Sequence, residues 1–403
     1  MITKETFTRI ASRYGTPAYV YEEKIFRDRI RRLIASIAYP NTSILYAAKA
    51  NTNPVIAGIA REEGLGVDVV SCEEIALMLT PKVGFQPRQI LYTASNITDE
   101  EMIFAAKKGV LLNIDSLSRL SKFGNSYPGE RVCVRINPNV GAGHHDHCIT
   151  GGPESKFGIW YSETDEIKRI AKRFNLCIIG IHQHIGSGIL DVEKFLLAMD
   201  VLLAVAPEFP NLEFIDFGGG LGVPYKPEDK SLDVERLGRE MSNRFRKFCD
   251  TYGKKLLLVI EPGRWFVAEC GHLLGRVNTI KRNPDGRIFV GLDTGMGHLI
   301  RPAMYGSYHP IVNISNLYGE AKENYDIGGP YCESGDIFAR ERKIPLIREG
   351  DLLSIEIAGA YGYSMSSNYN LRRRPIEVLV TPNNEILIIR KRETTASLIE
   401  GGM

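Results

Sequence analysis

Residue types capable of covalent and acid–base chemistry recur in this chain at the ends of short apolar runs. Lys49 closes the run Ser43-Ile44-Leu45-Tyr46-Ala47-Ala48-Lys49, Asp68 and Ser71 close Val67 to Ser71, and Arg135 and Asn137 close Arg131 to Asn137. His184 closes Ile178 to His184, Gly218-Gly219-Gly220-Leu221-Gly222 follows Phe214 to Phe217, and Glu261 closes Leu256 to Glu261. A lysine at the end of an apolar run is partly desolvated, which lowers its pKa and frees the amine for Schiff-base chemistry. The plainer use of such a lysine is to snorkel to a rim. The glycine turn and Gly263 suit phosphate, because missing side chains expose backbone N–H groups; tight turns use the same residues. Glu261 can face a cofactor ring or form a rim ion pair with Arg264. His182 and His184, two apart on a strand, point to one face, a spacing that metal hydrolases also use. His144-His145-Asp146-His147 adds to that alternative, although polar residues in a Gly-flanked loop more often form a solvated segment. Neither histidine group is joined by Cys ligands or a His-Glu-x-x-His helix.

The elements that must hold these residues follow from periodicity. With Gln89 to Thr93 and Leu111 to Asp115 the apolar runs number eight, and helical patterns lie between them at Pro54 to Glu63, Cys72 to Leu79, Asp99 to Lys108, Ser162 to Phe174, Val192 to Ala206 and Asp233 to Tyr252. Near-continuous apolar strands alternating with helices imply a parallel sheet covered by helices, and eight units predict a (β/α)8 TIM-type barrel. A doubly wound sheet fits less well, because the glycine turn comes at the seventh strand and lacks the acidic residue of a dinucleotide-binding unit. Barrel chemistry sits at the carboxyl ends of the strands, where the polar residues above fall. After Arg264 the pattern changes to strand-like runs at Arg287 to Leu292, Asp351 to Ile357, Pro375 to Val380 and Glu385 to Arg390, which predicts a C-terminal all-β domain. Its Gly-rich loops carry Cys332-Glu333-Ser334-Gly335-Asp336 and Gly359-Ala360-Tyr361-Gly362. Loops of that kind carry recognition, while a lone Cys is more often a small buried hydrophobe.

Composition bounds the partners. A chain of 403 residues is long enough for a large domain and a smaller companion. With 44% hydrophobic and 24% charged residues, and no window long enough for a membrane span, a soluble globular protein without a secretory signal is expected. Fifty Lys+Arg against 48 Asp+Glu leaves +2, too balanced for a nucleic-acid footprint or a polybasic membrane patch, so the expected ligand is small. Seven scattered cysteines without a CxxC pair indicate neither a disulfide framework nor a zinc ribbon, and fit a reducing cytoplasm.

The ordered set Tyr46-Ala47-Ala48-Lys49-Ala50, His184-Ile185-Gly186-Ser187-Gly188, Gly218 to Gly222, Glu261-Pro262-Gly263-Arg264, Cys332 to Asp336 and Gly359 to Gly362 resembles the fold-type III pyridoxal-phosphate-dependent decarboxylases, in particular their diaminopimelate-specific branch. The resemblance spans nearly the whole chain. It implies an alanine racemase-like fold, with a barrel at residues 32–264 and a β-domain built from 1–31 plus 265–403. It also implies pyridoxal 5'-phosphate as cofactor. Lys49 would hold it covalently with Asp68 nearby, His184 would stack on its ring, and Glu261 would keep the pyridine nitrogen protonated. The phosphate would lie among Ser187, Gly220 to Gly222, Gly263, Arg264 and the hydroxyl of Tyr361.

By the same resemblance, Arg264, Arg301 and Tyr305 would bind the distal carboxylate and Glu333 the distal amine, with Tyr361 also near the substrate. Ornithine-type relatives carry an aspartate in place of that glutamate and lack the arginine pair. The implied reaction is therefore removal of the D-centre carboxylate of meso-diaminopimelate to give L-lysine, with Cys332 or Lys49 as proton donor. Cys332, Glu333 and Tyr361 would act in trans, so a homodimer with shared sites is implied, with no bound metal. The alternatives are a decarboxylase of ornithine, lysine or a carboxylated polyamine, and a non-catalytic binding relative, which would usually have lost Lys49, His184 or Cys332. Gln183, where relatives often have Cys or Met, and the segment Gly141 to Cys148 depart from the pattern.

Overall fold

The computed structural model describes residues 2–143, 145 and 149–400, so His144, Asp146 and His147 lie outside the described residues. The chain forms two compact units. The first comprises Arg29–Val223 and Lys230–Trp265; the second comprises the described residues up to Asp28, Pro224–Asp229, and those from Phe266 onward.

The first unit is a closed barrel of eight parallel strands: β1 (Thr42–Ala47), β2 (Gly66–Val69), β3 (Ile90–Tyr92), β4 (Leu111–Ile114), β5 (Arg131–Asn137), β6 (Cys177–His182), β7 (Phe214–Asp216) and β8 (Leu257–Ile260). Pairing of β8 with β1, Leu258 opposite Thr42, closes it. Capping residues start the intervening helices where the periodicity predicts. Asn53 caps Pro54–Glu62, Ser71 caps Cys72–Met78, and Thr98 and Glu101 form a reciprocal box at the head of Asp99–Lys107. One helix, Leu117–Ser126, is absent from the predicted set because Gly124-Asn125-Ser126 reads as a turn. Gly124 is needed there for packing, since a Cβ would lie 2.6 Å from the Phe174 ring.

Leu45, Leu91, Cys133, Ile179, Phe214 and Val259 pack together as a barrel core. Phe214 occupies the space that Gly180 leaves open; a Cβ at 180 would lie 2.1 Å from its ring. Buried polar residues stand toward the carboxyl ends of the strands: Asp68 on β2, Asn113 on β4, Arg135 and Asn137 on β5, His182 on β6 and Asp216 on β7.

The second unit is a mixed nine-stranded sheet. Its N-terminal strand, Ala18–Glu22, runs antiparallel to Gly271–Arg282 and parallel to Ile376–Val380. Helix Lys4–Tyr14, capped by Thr3, adds Phe7, Ile10 and Ala11 to a core with Ala18, Val20, Leu274, Ile376 and Val378. Fully burying each large apolar side chain of this kind contributes about 1.5–3 kcal/mol. The six described cysteines form no disulfide, and no described helix is long and apolar enough to cross a membrane.

A buried ion cluster ties the N-terminal strand into this sheet. His272 lies 3.0 Å from Glu22 through Nε2 and 2.6 Å from Glu356 through Nδ1. Burial pushes the imidazole pKa down, but Glu356 and Glu22 outweigh it and hold it at about 9. A histidine whose pKa is raised on folding contributes stability that is fully present below its unfolded value near 6.5 and lost as pH rises through its folded value. We expect wild-type stability, read from denaturant midpoints, to fall between pH 6.5 and 9.5 by up to about 3 kcal/mol more than that of His272→Gln. Equal slopes in the two proteins would show that the imidazolium is not present.

Candidate active site

The site begins where β1 ends. Ala47 closes the strand, its N–H bonded to the Pro262 carbonyl, and Ala48–Ala50 turn as a single 3₁₀ unit. Lys49 therefore stands on a turn just past β1, not on the strand as the sequence pattern predicts, because strand pairing stops where the chain must turn into the next helix. Its Nζ donates to Asp68 Oδ2. The lysine side chain is 33% exposed and Asp68 is fully buried. Burial, with Glu261 adding to it, pushes the Asp68 carboxyl up to about 6 against the opposing pull of Lys49.

Glu261 follows β8 directly. Its Oε2 lies 3.0 Å from His182 Nε2, and Thr93 Oγ1 donates to its Oε1 at 3.5 Å. Asp216, the last residue of β7, completes a buried group in which donor atoms of His182, Asp216 and Glu261 all lie within 4.8 Å of one another. Burial raises both carboxyls, and Asp216 Oδ1 accepts from the Gly218 N–H at 2.8 Å. His182 is held neutral by burial and the nearby Arg135 cation. Nε2–H thus faces Glu261, which accepts from His182 on one oxygen and from Thr93 on the other.

His184 lies two residues beyond the end of β6. Strand alternation does not extend to it, so it does not join His182 in the three-residue group. Instead its Nδ1 accepts from the Gly219 N–H at 3.1 Å, which fixes the proton on Nε2. Burial and then Arg135 hold its pKa well below the usual range, leaving a flat neutral ring.

Three loops meet beside these residues. The Ile189 N–H donates to the Gly220 carbonyl at 3.0 Å and the Gly222 N–H to that of Ile189 at 2.9 Å, zipping the loop after β6 to the glycine turn after β7. Arg264 Nη2 donates to Ser187 Oγ at 3.0 Å. A Cβ on Gly263 would lie 2.9 Å from that of Ala50, so the lysine-bearing turn packs directly on this loop. Ser187, Gly220, Gly222, Gly263 and Arg264 are thus brought together, as are Lys49 with Asp68 and Glu261 with His182.

The remaining predicted residues belong to the second unit. Arg301 begins helix Arg301–Tyr305 and is buried; Tyr305 ends it before Gly306. Cys332 and Glu333 are exposed on one loop, where the Cys332 N–H donates to Asn370 Oδ1 at 2.9 Å and the Tyr369 hydroxyl donates to Glu333 Oε1 at 2.8 Å. Tyr361 adopts a left-handed backbone, φ 57°. Sequence reasoning overlooked Asp216, although a lone acidic residue in the apolar run Phe214 to Phe217 is a readable signal. It also missed His309 and Tyr225, whose contacts with Arg301 carry no local pattern.

The donor set suits a phosphorylated aromatic aldehyde. An amine held against a buried carboxylate, a second buried carboxylate, a flat neutral imidazole, and a serine and arginine beside a glycine turn match its carbonyl, ring nitrogen, ring face and phosphate.

Residues 26–268 match the family model described as pyridoxal-dependent decarboxylase, pyridoxal binding domain, which is the class that the barrel and its lysine define. The chain is 46% identical over 401 residues to a diaminopimelate decarboxylase of Methanothermobacter thermautotrophicus, covering 97% of this chain and 92% of that one. The structure of diaminopimelate decarboxylase from M. jannaschii in complex with L-lysine superposes with a TM-score of 0.89 at 33% identity, covering 98% and 94% of the two chains. That from Helicobacter pylori with L-lysine gives 0.89 at 31%, covering 98% and 100%. The chain belongs to the diaminopimelate decarboxylase family.

Gly220 has φ 101°, and a Cβ there would lie 2.5 Å from the Gly186 carbonyl oxygen. Gly253 also has positive φ, at 80°, but no atom lies within 4 Å of the place where its Cβ would stand. We expect Gly253→Ala to cost about 1 kcal/mol and Gly220→Ala at least about 2–3 kcal/mol in urea unfolding, since only the second adds a backbone collision to the strain.

Proposed function

We propose that Lys49, His184, Glu261 and the loops carrying Ser187, Gly220, Gly222, Gly263 and Arg264 hold pyridoxal 5'-phosphate, and that the chain uses it to decarboxylate meso-2,6-diaminopimelate at its D-centre, giving L-lysine and carbon dioxide. The observation that carries this is the pairing of Lys49 with buried Asp68 beside the Glu261–His182 contact. Bound there, the cofactor supplies an electron sink for the pair left when carbon dioxide departs. The Glu261 carboxylate would hold the ring nitrogen in its protonated form, and His182 and Thr93 fix that carboxylate in place. Neutral His184 covers the ring face without adding a charge. Arg264 and Ser187, already bonded to each other, take the phosphate.

Substrate selection rests on Arg264, Arg301 and Tyr305 for the distal carboxylate and Glu333 for the distal amine. An arginine fork suits a carboxylate because its planar donors match both oxygens. Holding the far end orients the scissile bond, so remote binding lowers the barrier by placement. Lys49 Nζ and Cys332 Sγ are the candidate donors of the proton that Cα receives after decarboxylation. The exposure of Cys332 and Glu333 on one loop supports their reaching the barrel of a second copy. In this arrangement residues 32–264 form the cofactor barrel, while 1–31 and 265–403 form the β-domain that, with Tyr361, completes the partner's site. Such a homodimer needs no nucleic acid or membrane and suits the cytoplasm.

The test is carbon dioxide release from meso-diaminopimelate, with ornithine and lysine in parallel. Wild type is expected to turn over meso-diaminopimelate alone and Lys49→Ala none of the three. Faster turnover of ornithine or lysine would sink the specificity assigned to Arg301 and Glu333. Glu261→Gln is expected to bind cofactor yet lower kcat about 10²–10³-fold.

A further inference from the structure

We propose that His309 is the positioning residue of Arg301, fixing the guanidinium that selects a substrate with a distal carboxylate; this rests on the reading of Arg301 given above. Arg301 is 1% exposed and His309 fully buried. Arg301 Nη1 and His309 Nε2 are 2.9 Å apart. A guanidinium has donors only, so His309 must accept, which requires a neutral ring with an unprotonated Nε2. The other side of the ring agrees. His309 Nδ1 lies 2.9 Å from the Glu356 carbonyl oxygen, which can only accept, so the proton sits on Nδ1. Two neighbours of opposite hydrogen-bonding character thus select one tautomer, and a protonated ring would set an N–H against an N–H between two cations.

The imidazole is itself held. The Tyr225 ring packs edge-on against it at 5.3 Å and lies 4.6 Å from Arg301 Cζ, fixing the guanidinium plane as well as its end. Arg342 Nη1 donates to the His309 carbonyl at 2.9 Å, and the Glu356 N–H donates to the Pro310 carbonyl at 2.8 Å. An arginine side chain is rich in rotamers, and a fork recognises a carboxylate only when its plane is set beforehand. His309 occupies one donor and sets that plane. No short-range pattern in the sequence shows this role, because the two residues sit eight apart, on opposite sides of a helix end.

The test is steady-state decarboxylation of meso-diaminopimelate by the cofactor-loaded enzyme, with Arg301→Gln as reference. His309→Asn keeps a donor for the Glu356 carbonyl but withdraws the acceptor from Arg301, whereas His309→Gln carries an oxygen acceptor to the Nε2 position. The Asn variant is expected to raise KM about 10–50-fold with kcat within about twofold, and the Gln variant to stay within about fivefold of wild type. On the Arg301→Gln background the Asn change is expected to add little. Equal KM values in the Asn and Gln variants, a loss confined to kcat, or full additivity would overturn the role of His309. An unchanged KM in Arg301→Gln overturns the carboxylate reading itself, while a raised KM there with a normal one in His309→Asn removes His309 alone. Independently of folding in any variant, long-range ¹H–¹⁵N correlation of the wild-type imidazole is expected to show a neutral ring protonated on Nδ1; a cationic ring, or one protonated on Nε2, overturns the assignment.

Discussion

An ammonium held against a fully buried carboxylate, Lys49 on Asp68, is the contact around which the barrel's polar end is arranged. Taking charges out of water is costly, and a buried ion left without its partner destabilises a fold by about 3–5 kcal/mol. The neighbouring groups limit that cost by staying neutral where they can. Burial holds His182 and His184 neutral and raises the carboxyls of Asp216 and Glu261, while Asp68 faces Lys49. The result is a buried layer in which Lys49 and Asp68 are paired before any ligand arrives. A site of this kind loses little to rearrangement when a charged cofactor binds, because its dipoles already face the right way.

The second unit solves a related problem with two histidines that meet at one residue. The carboxylate of Glu356 holds His272 as a cation, while the backbone carbonyl of the same residue holds His309 neutral. A carboxylate stabilises a proton on a ring between two acids, whereas a carbonyl merely accepts one from a ring whose other nitrogen already serves a guanidinium. Glu356 therefore links the N-terminal strand inside the sheet, through Glu22 and His272, to the arginine on its short helix, through His309. Five residues further on, Tyr361 holds a left-handed backbone, and Ile357 does so at φ 56°, an unusual conformation for a β-branched residue. Strain of this kind persists only where the surroundings overdetermine the chain, and the bonds from His272 and His309 to Glu356, with that from the Glu356 N–H to the Pro310 carbonyl, supply that constraint at one end of the loop.

The barrel was legible because its cause is local. Parallel strands buried on both faces must be apolar throughout, and helices on their outer side must carry a 3.6-residue period, so Ile44, Leu45 and Tyr46 or Ile178, Ile179 and Ile181 announce their strands without reference to anything distant. The polar residues that end those runs announced the site for the same reason, since an apolar strand tolerates Lys49, Asp68 or Glu261 only at its edge. Two placements were misjudged there. Lys49 and His184 stand past their strands, on turns set by hydrogen bonds to Pro262 and Gly219, which lie far along the chain.

The sequence by itself determined the class of fold, the order of its elements, and the residue types gathered at the strand ends, because hydrophobic period and turn chemistry act over a few residues. The ordered motifs also carried the resemblance to a pyridoxal-phosphate-dependent family. Protonation and partnership were decided only by the tertiary structure. How far burial raises Asp216 and Glu261, whether His272 is a cation and His309 is not, and which nitrogen of His184 is bare depend on burial and on atoms from strands tens to hundreds of residues apart. Desolvation and Coulomb attraction fall off over a few ångströms in space and take no account of separation along the chain.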